Sequence, residues 1–174
     1  FGQDPELAEE LIREIRKVSS LPVLVKLTPS VADPRPIAYA VEKAGADALT
    51  LPDHATGDLV SGEYYERFLR EMHIEFAQEL DIPIILHICG RTVDRMEYIA
   101  QTGMAAFHFD SKNEPQESMD IVSGRISLVG NINNPETLFS KEPDDVGAEV
   151  TKNLSAGVQL VGPECAIPLQ TSIE

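Results

Sequence analysis

The sequence predicts an α/β fold of the TIM-type (β/α)8 barrel class, incomplete in this chain, with about six βα units in a single unit spanning residues 1–174. Three observations predict it. Stretches of helical and strand period alternate along the whole chain, the pattern of parallel strands joined by right-handed helical crossovers. The strand stretches are mostly continuous apolar runs, as expected when both faces of a sheet are covered. No glycine-rich phosphate fingerprint follows the first strand, which weakens the competing architecture, an open doubly wound sheet of the dinucleotide-binding kind.

Residues 4–17 read as a helix: Pro5 suits a first turn, and Leu7, Leu11, Ile12 and Ile15 recur at helical spacing. Residues 22–27 form a short apolar strand. Residues 36–44 form a helix that Gly45 stops, and residues 46–51 the next strand. After a polar loop over 52–61 comes a long helix, about 63–80, with Tyr65, Phe68, Leu69, Met72 and Phe76 on one stripe. Strands follow at 82–89, 105–110, 126–131 and 158–161, separated by helices at 93–102, 116–122 and 143–156. A closed barrel takes eight strands. The chain stops at Ile173 and Glu174, where a further helix is expected. The expectation is therefore a part of a larger protein, or a barrel completed by a homo-oligomeric partner, because an open sheet edge calls for cover.

Composition narrows the function classes. Asp and Glu number 29 against 14 Lys and Arg, a formal charge of -15. A negative field repels phosphate, so no nucleic acid and no anionic membrane is expected as a partner. No run of 18 apolar residues offers a membrane span, and the N-terminus lacks a signal-peptide pattern. Two cysteines make no disulfide framework, which fits a cytoplasmic, reducing location.

Those two cysteines carry the sharpest signal. His87 and Cys89 lie two apart at the end of a strand, so both side chains point to one face. Cys165 lies just past the last strand, and in a parallel barrel the C-terminal strand ends gather on one rim. One imidazole and two thiolates suit zinc and leave a coordination position open, the mark of a catalytic rather than a structural site. Asp110, at the end of the next strand on the face of His108 and Ala106, is a candidate fourth ligand or a hydrogen-bond partner of one. The plain alternative is a pair of inert core cysteines and a satisfied core histidine.

These residues carry a family pattern. The stretches Asp53-His-Ala-Thr-Gly-Asp-Leu-Val-Ser61, Ile85-Leu-His-Ile-Cys-Gly90, Val129-Gly-Asn-Ile-Asn133 and Gly162-Pro-Glu-Cys-Ala-Ile-Pro168 resemble the uroporphyrinogen decarboxylase superfamily over about residues 53–172. The nearest likeness is its zinc-dependent branch, the methylcobamide:coenzyme M methyltransferases. The resemblance implies that His87, Cys89 and Cys165 are zinc ligands and that Asp110 falls near the family's fourth ligand, usually the longer Glu. It implies a methylated corrinoid, carried on a separate corrinoid protein, as donor and a small thiol such as coenzyme M as acceptor. The chemistry fits: a free alkyl thiol is mostly protonated near neutral pH, and zinc favours the nucleophilic thiolate. Residues 1–51 depart from this pattern. Leu21-Pro-Val-Leu-Val-Lys-Leu-Thr-Pro-Ser30 and Val41-Glu-Lys-Ala-Gly-Ala-Asp-Ala-Leu49 resemble dihydroorotate dehydrogenase-type flavin barrels, with Lys26 matching a lysine near flavin and substrate, and place a possible junction near residue 51.

Other rim residues are candidates with plain alternatives. Asp53 and His54 are expected to touch substrate or partner, or to cap their loop. Arg91 is a candidate for an anionic substrate tail. His108, Asn131, Asn133 and Glu164 are expected to orient substrate or a zinc ligand, or to serve as core, turn or exposed rim residues. Two rival functions stand beside zinc-dependent methyl transfer: a metal-free decarboxylase or flavin enzyme, and a non-catalytic barrel module.

Overall fold

A computed structural model describes residues 2–172; Ile173 and Glu174, at which a further helix is expected, lie outside the described residues. Helix α1 (Pro5–Val18) opens on Asp4, whose carboxylate accepts the amides of Glu6 and Leu7, a cap worth about 1 kcal/mol. Its Ala8 and Ile12 enter the core. Strands β1 (Leu24–Lys26), β2 (Ala48–Asp53), β3 (Ile84–Ile88), β4 (Ala106–Phe109) and β5 (Ser127–Val129) pair in chain order, all parallel. The expected sixth strand is reduced to two parallel bridges, Val129 to Leu160 and Ile132 to Pro163. The result is an open part-barrel flanked by helices, as the βα rhythm predicts.

The two sheet faces differ. Leu49, Leu86, Ile88, Phe107, Phe109 and Leu128 are fully covered, or nearly so, under the helical layer. The alternating residues, among them Lys26, Thr50, Ile85, His87, His108 and Val129, share the opposite, concave face. The helical layer comprises α1, α2 (Arg35–Lys43), α3 (Gly62–Tyr64), α4 (Arg70–Glu79), α5 (Met96–Ile99), α6 (Pro115–Val122) and α7 (Pro143–Ala156).

The long helix departs from the expected stripe. Between α3 and α4 the turn Tyr65–Leu69 is a π-helix, closed by the Arg70 amide on the Tyr65 carbonyl. One extra residue in the turn rotates the rest of the helix by about 100°. Tyr65 and Phe76 are buried as expected, but Phe68 and Met72 are exposed and His73 takes an inward place. The expected helix over 93–102 is shorter, a 3-10 turn Val93–Arg95 leading into α5. A second π turn, Asn134–Leu138, was not expected; Asn133 caps it by accepting the Glu136 amide.

Arg95 shapes the loop after β2. Its guanidinium is fully buried and donates to the carbonyls of Ala55 and Val60 and to Asp94. Asp94 in turn accepts the Gly62 amide that begins α3. Replacement of Arg95 by Met orphans two buried carbonyls, and we expect it to cost about 3 kcal/mol in urea unfolding. A loss below about 1 kcal/mol would show that this clamp does not hold the loop.

Candidate metal centre

Three of the residues singled out in the sequence converge. His87 Nε2 lies 3.1 Å from Cys89 Sγ, and Cys89 Sγ lies 3.3 Å from Cys165 Sγ. All three donor atoms fall within 4.8 Å of one another, close enough to hold one metal ion. His87 is buried, and both cysteines are half-buried free thiols.

Each donor is aimed by backbone. His87 ends the inner row of β3, and its Nδ1 meets the His108 carbonyl at 3.2 Å, so Nδ1 carries the proton and Nε2 presents a lone pair to the cysteines. Cys89 is followed by Gly90, which has φ +80 and where a Cβ would fall 2.3 Å from Thr56 Oγ1, so only glycine turns the chain there. Cys165 arrives on the segment bridged to Ile132. Its neighbour Glu164 is buried, with one oxygen accepting the Ser111 amide at 2.9 Å and the other the Asn134 amide at 3.0 Å. His108 Nε2 donates to the Pro163 carbonyl at 2.7 Å and stacks beside His87, with ring centroids 4.4 Å apart.

Asp110 is placed differently from the other three. Its carboxylate accepts the Gly90 amide at 2.7 Å and the Lys112 amide at 2.9 Å, and it is not among the three grouped donors. Asn131 is buried and donates to the carbonyls of Asp110 and Asn113. Arg91 is exposed; its carbonyl accepts the Gly57 amide. Asp53 accepts the Ala55 amide and meets His73 Nε2 at 3.0 Å, while Tyr65 Oη meets His73 Nδ1 at 2.8 Å. Asp53 and exposed His54 line a cleft of about 440 Å³ with Thr28, Arg35, Met72 and Phe76.

His73, Tyr65 and Asn113 were not singled out in the sequence as site residues. Asn113 is fully buried and ties Gly90 and Thr92 to the β4 end. A signal for it existed in the turn-forming Asp110-Ser-Lys-Asn113 run directly after a strand. His73 had only the weak signal of a histidine eight positions from a buried Tyr.

The electrostatics suit metal binding. Burial, aided by the charges of His108 and Lys26, pushes the His87 imidazole down to about 4. Burial and the hydrogen bond with Cys165 push the Cys89 thiol up to about 12. At neutral pH the imidazole is therefore neutral and ready to ligate, whereas Cys89 must lose a proton to do so. A neutral nitrogen with two sulfurs, and a partner on the far imidazole nitrogen, is a donor set that fits zinc.

The comparisons with known proteins agree in kind. The family profile described as "Uroporphyrinogen decarboxylase (URO-D)" matches residues 23–174, and the chain belongs to that family. Among its relatives, methylcobamide:CoM methyltransferase MtbA of Methanosarcina acetivorans is 30% identical over 138 residues, covering 77% of this chain and 40% of that protein. A solved methyltransferase from Methanosarcina mazei superposes with a TM-score of 0.83 at 23% identity, covering 96% of this chain and 60% of the other, and confirms the fold. The catalytic subunit of dihydroorotate dehydrogenase B (NAD(+)) from Listeria welshimeri is 55% identical over 51 residues, 29% of this chain and 17% of that protein. The chain thus spans about two fifths of the length of the curated methyltransferase it resembles.

Two results are expected. Zinc affinity should rise by about tenfold or more per pH unit between about pH 6 and pH 8, because Cys89 gives up a proton. It should show no break near the ordinary histidine value, because His87 is already neutral there; a flat profile in a competition titration contradicts this reading. Glu164→Ala should weaken zinc binding by about tenfold while one zinc per chain is still bound, since it frees the Cys165 segment rather than removing a ligand. Unchanged affinity would show that Glu164 does not position Cys165.

Proposed function

We propose that this chain carries the thiol-activating centre of a methyltransferase that moves a methyl group from a methylated corrinoid, held by a corrinoid protein, to a small thiol such as coenzyme M. The observation that carries the reading is the convergence of His87, Cys89 and Cys165. The likeness to methylcobamide:CoM methyltransferases supports it. We propose these three residues as zinc ligands. Zinc, when bound, supplies Lewis acidity that keeps the acceptor thiol deprotonated near neutral pH.

The chain's own residues do the positioning. The His108 carbonyl fixes the His87 tautomer. The Asp110 carboxylate holds the Gly90 amide next to Cys89, and Glu164 holds the strand end next to Cys165. In this reading Asp110 supports the ligands through backbone, as its two amide contacts indicate. The acceptor sulfur attacks the methyl carbon in line; a sulfur–carbon bond forms, the carbon–cobalt bond breaks, and the electron pair leaves with the corrinoid. We propose that Asp53 and His54, which line the cleft beside β2, meet the donor or its carrier protein.

The share of the relatives' length that is spanned favours a further point. The edges at Leu24–Lys26 and at Leu160 are open to further βα units or to a second copy, and full activity is proposed for the completed ring. No helix among the described residues is long and apolar enough to cross a membrane. A pair of thiol ligands, as proposed for this site, suits a reducing, cytoplasmic setting.

The test is zinc-loaded protein assayed with methylcobalamin and coenzyme M. Methyl transfer is expected in the wild type, and both zinc and turnover should fall by at least about a hundredfold in Cys89→Ala and Cys165→Ala. Turnover that persists in either variant, or a metal-replete wild type that binds no zinc, overturns the proposal.

A further inference from the structure

Lys26 brings a positive charge to the sheet face that carries His87. The parallel register pairs Lys26 with Thr50 and Thr50 with Ile85, and His87 lies two residues further along β3. Lys26 and His87 therefore share the concave face, which His108 continues on β4. Lys17, Lys43, Lys112 and Lys152 each meet a carboxylate. Lys26 has no such ion pair among the described residues, in a chain with a formal charge of -15. An unpaired cation facing two thiols across an open concavity is suited to a ligand with sulfur at one end and negative charge at the other.

We propose that Lys26 receives the anionic tail of a short-chain thiol whose sulfur sits at the His87–Cys89–Cys165 cluster, and so makes this site prefer acid-tailed over neutral thiols. The inference rests on the thiol-activation reading and deepens it by naming a specificity residue. The geometry makes Lys26 a better counter-ion than Arg91. Arg91 follows β3 rather than lying on its inner row, and it packs on the loop after β2, where its carbonyl accepts the Gly57 amide and its Cβ lies 3.5 Å from where a Gly57 Cβ would fall. Lysine suits the task, because a flexible stem carrying a point charge follows a sulfonate or carboxylate without demanding a fixed bidentate geometry.

The experiment uses the chain loaded with Co(II), whose absorption reports thiol binding directly. It is titrated with 2-mercaptoethanesulfonate and, separately, with 2-mercaptoethanol. The wild type should bind the sulfonate thiol at least about tenfold more tightly, a preference that weakens with added salt. Lys26→Met should abolish the preference by weakening the sulfonate thiol alone, with cobalt content and 2-mercaptoethanol affinity unchanged. Lys26→Arg should retain most of the preference, and Arg91→Met all of it. A preference that survives in Lys26→Met, one lost in Arg91→Met, or none in the wild type overturns the assignment to Lys26 while leaving thiol activation standing. If neither thiol alters the cobalt spectrum, thiol activation itself fails and this inference with it.

Discussion

The centre depends on one buried carboxylate. Cys165 comes from a segment joined to the sheet by two bridges and by backbone hydrogen bonds that run as far as the Glu164 amide on the Ile132 carbonyl. The Glu164 side chain adds a further constraint. Its two oxygens take amides from the loop after β4 and from the turn after β5, so three loops are tied together. The His108 contact with the Pro163 carbonyl closes the same belt from inside the sheet, and Asn134 adds a bond to the Ala166 carbonyl. Each buried amide in the belt would be costly if left without a partner. The belt is thus stable and also determines where a sulfur can sit.

Why some of this was legible follows from the kind of rule that periodicity can encode. The three donors were readable because strand alternation and parallel topology are simple rules: i and i+2 share a face, and strand ends share a rim. The role of Asp110 was not readable at the same level. Its position at the end of β4 was evident, but the amides it meets belong to turns after two different strands, and turn geometry leaves little trace in composition. The Tyr65 helix shows another limit. A stripe drawn at 3.6 residues per turn assumes an unbroken helix. One π turn moved Phe68 and Met72 to solvent and brought His73 inward, where it joins Asp53 to Tyr65. In that triad, burial works to raise the Asp53 carboxyl, and its contacts with His73 and the Ala55 amide outweigh burial, so the carboxyl is held below its ordinary range.

The weak sixth strand has the same kind of origin. Residues 158–161 have the apolar character of a strand, but Gly162 and Pro163 come next, and Pro cannot extend a ladder through its own nitrogen. Pairing nonetheless continues on either side of Pro163, with the Gly162 amide on the Gly130 carbonyl and the Glu164 amide on the Ile132 carbonyl, and Cys165 follows directly, 3.3 Å from Cys89.

Under the proposed zinc ligation, charge balance accounts for the remaining acid groups staying back. A divalent ion held by two thiolates and a neutral imidazole is formally neutral, which a half-buried site tolerates well. A carboxylate ligand would leave a net negative charge in the same place and repel an incoming thiolate. Asp110 already disfavours the ionised form of Cys89 from its present distance. Its negative charge is instead directed at the amides of Gly90 and Lys112, where it rigidifies the loop after Cys89. An acceptor thiolate with an acidic tail would bring two further negative charges onto the concave face. A lone ammonium on that face, at Lys26, offsets part of that charge without competing for the metal, because a protonated amine has no lone pair to give.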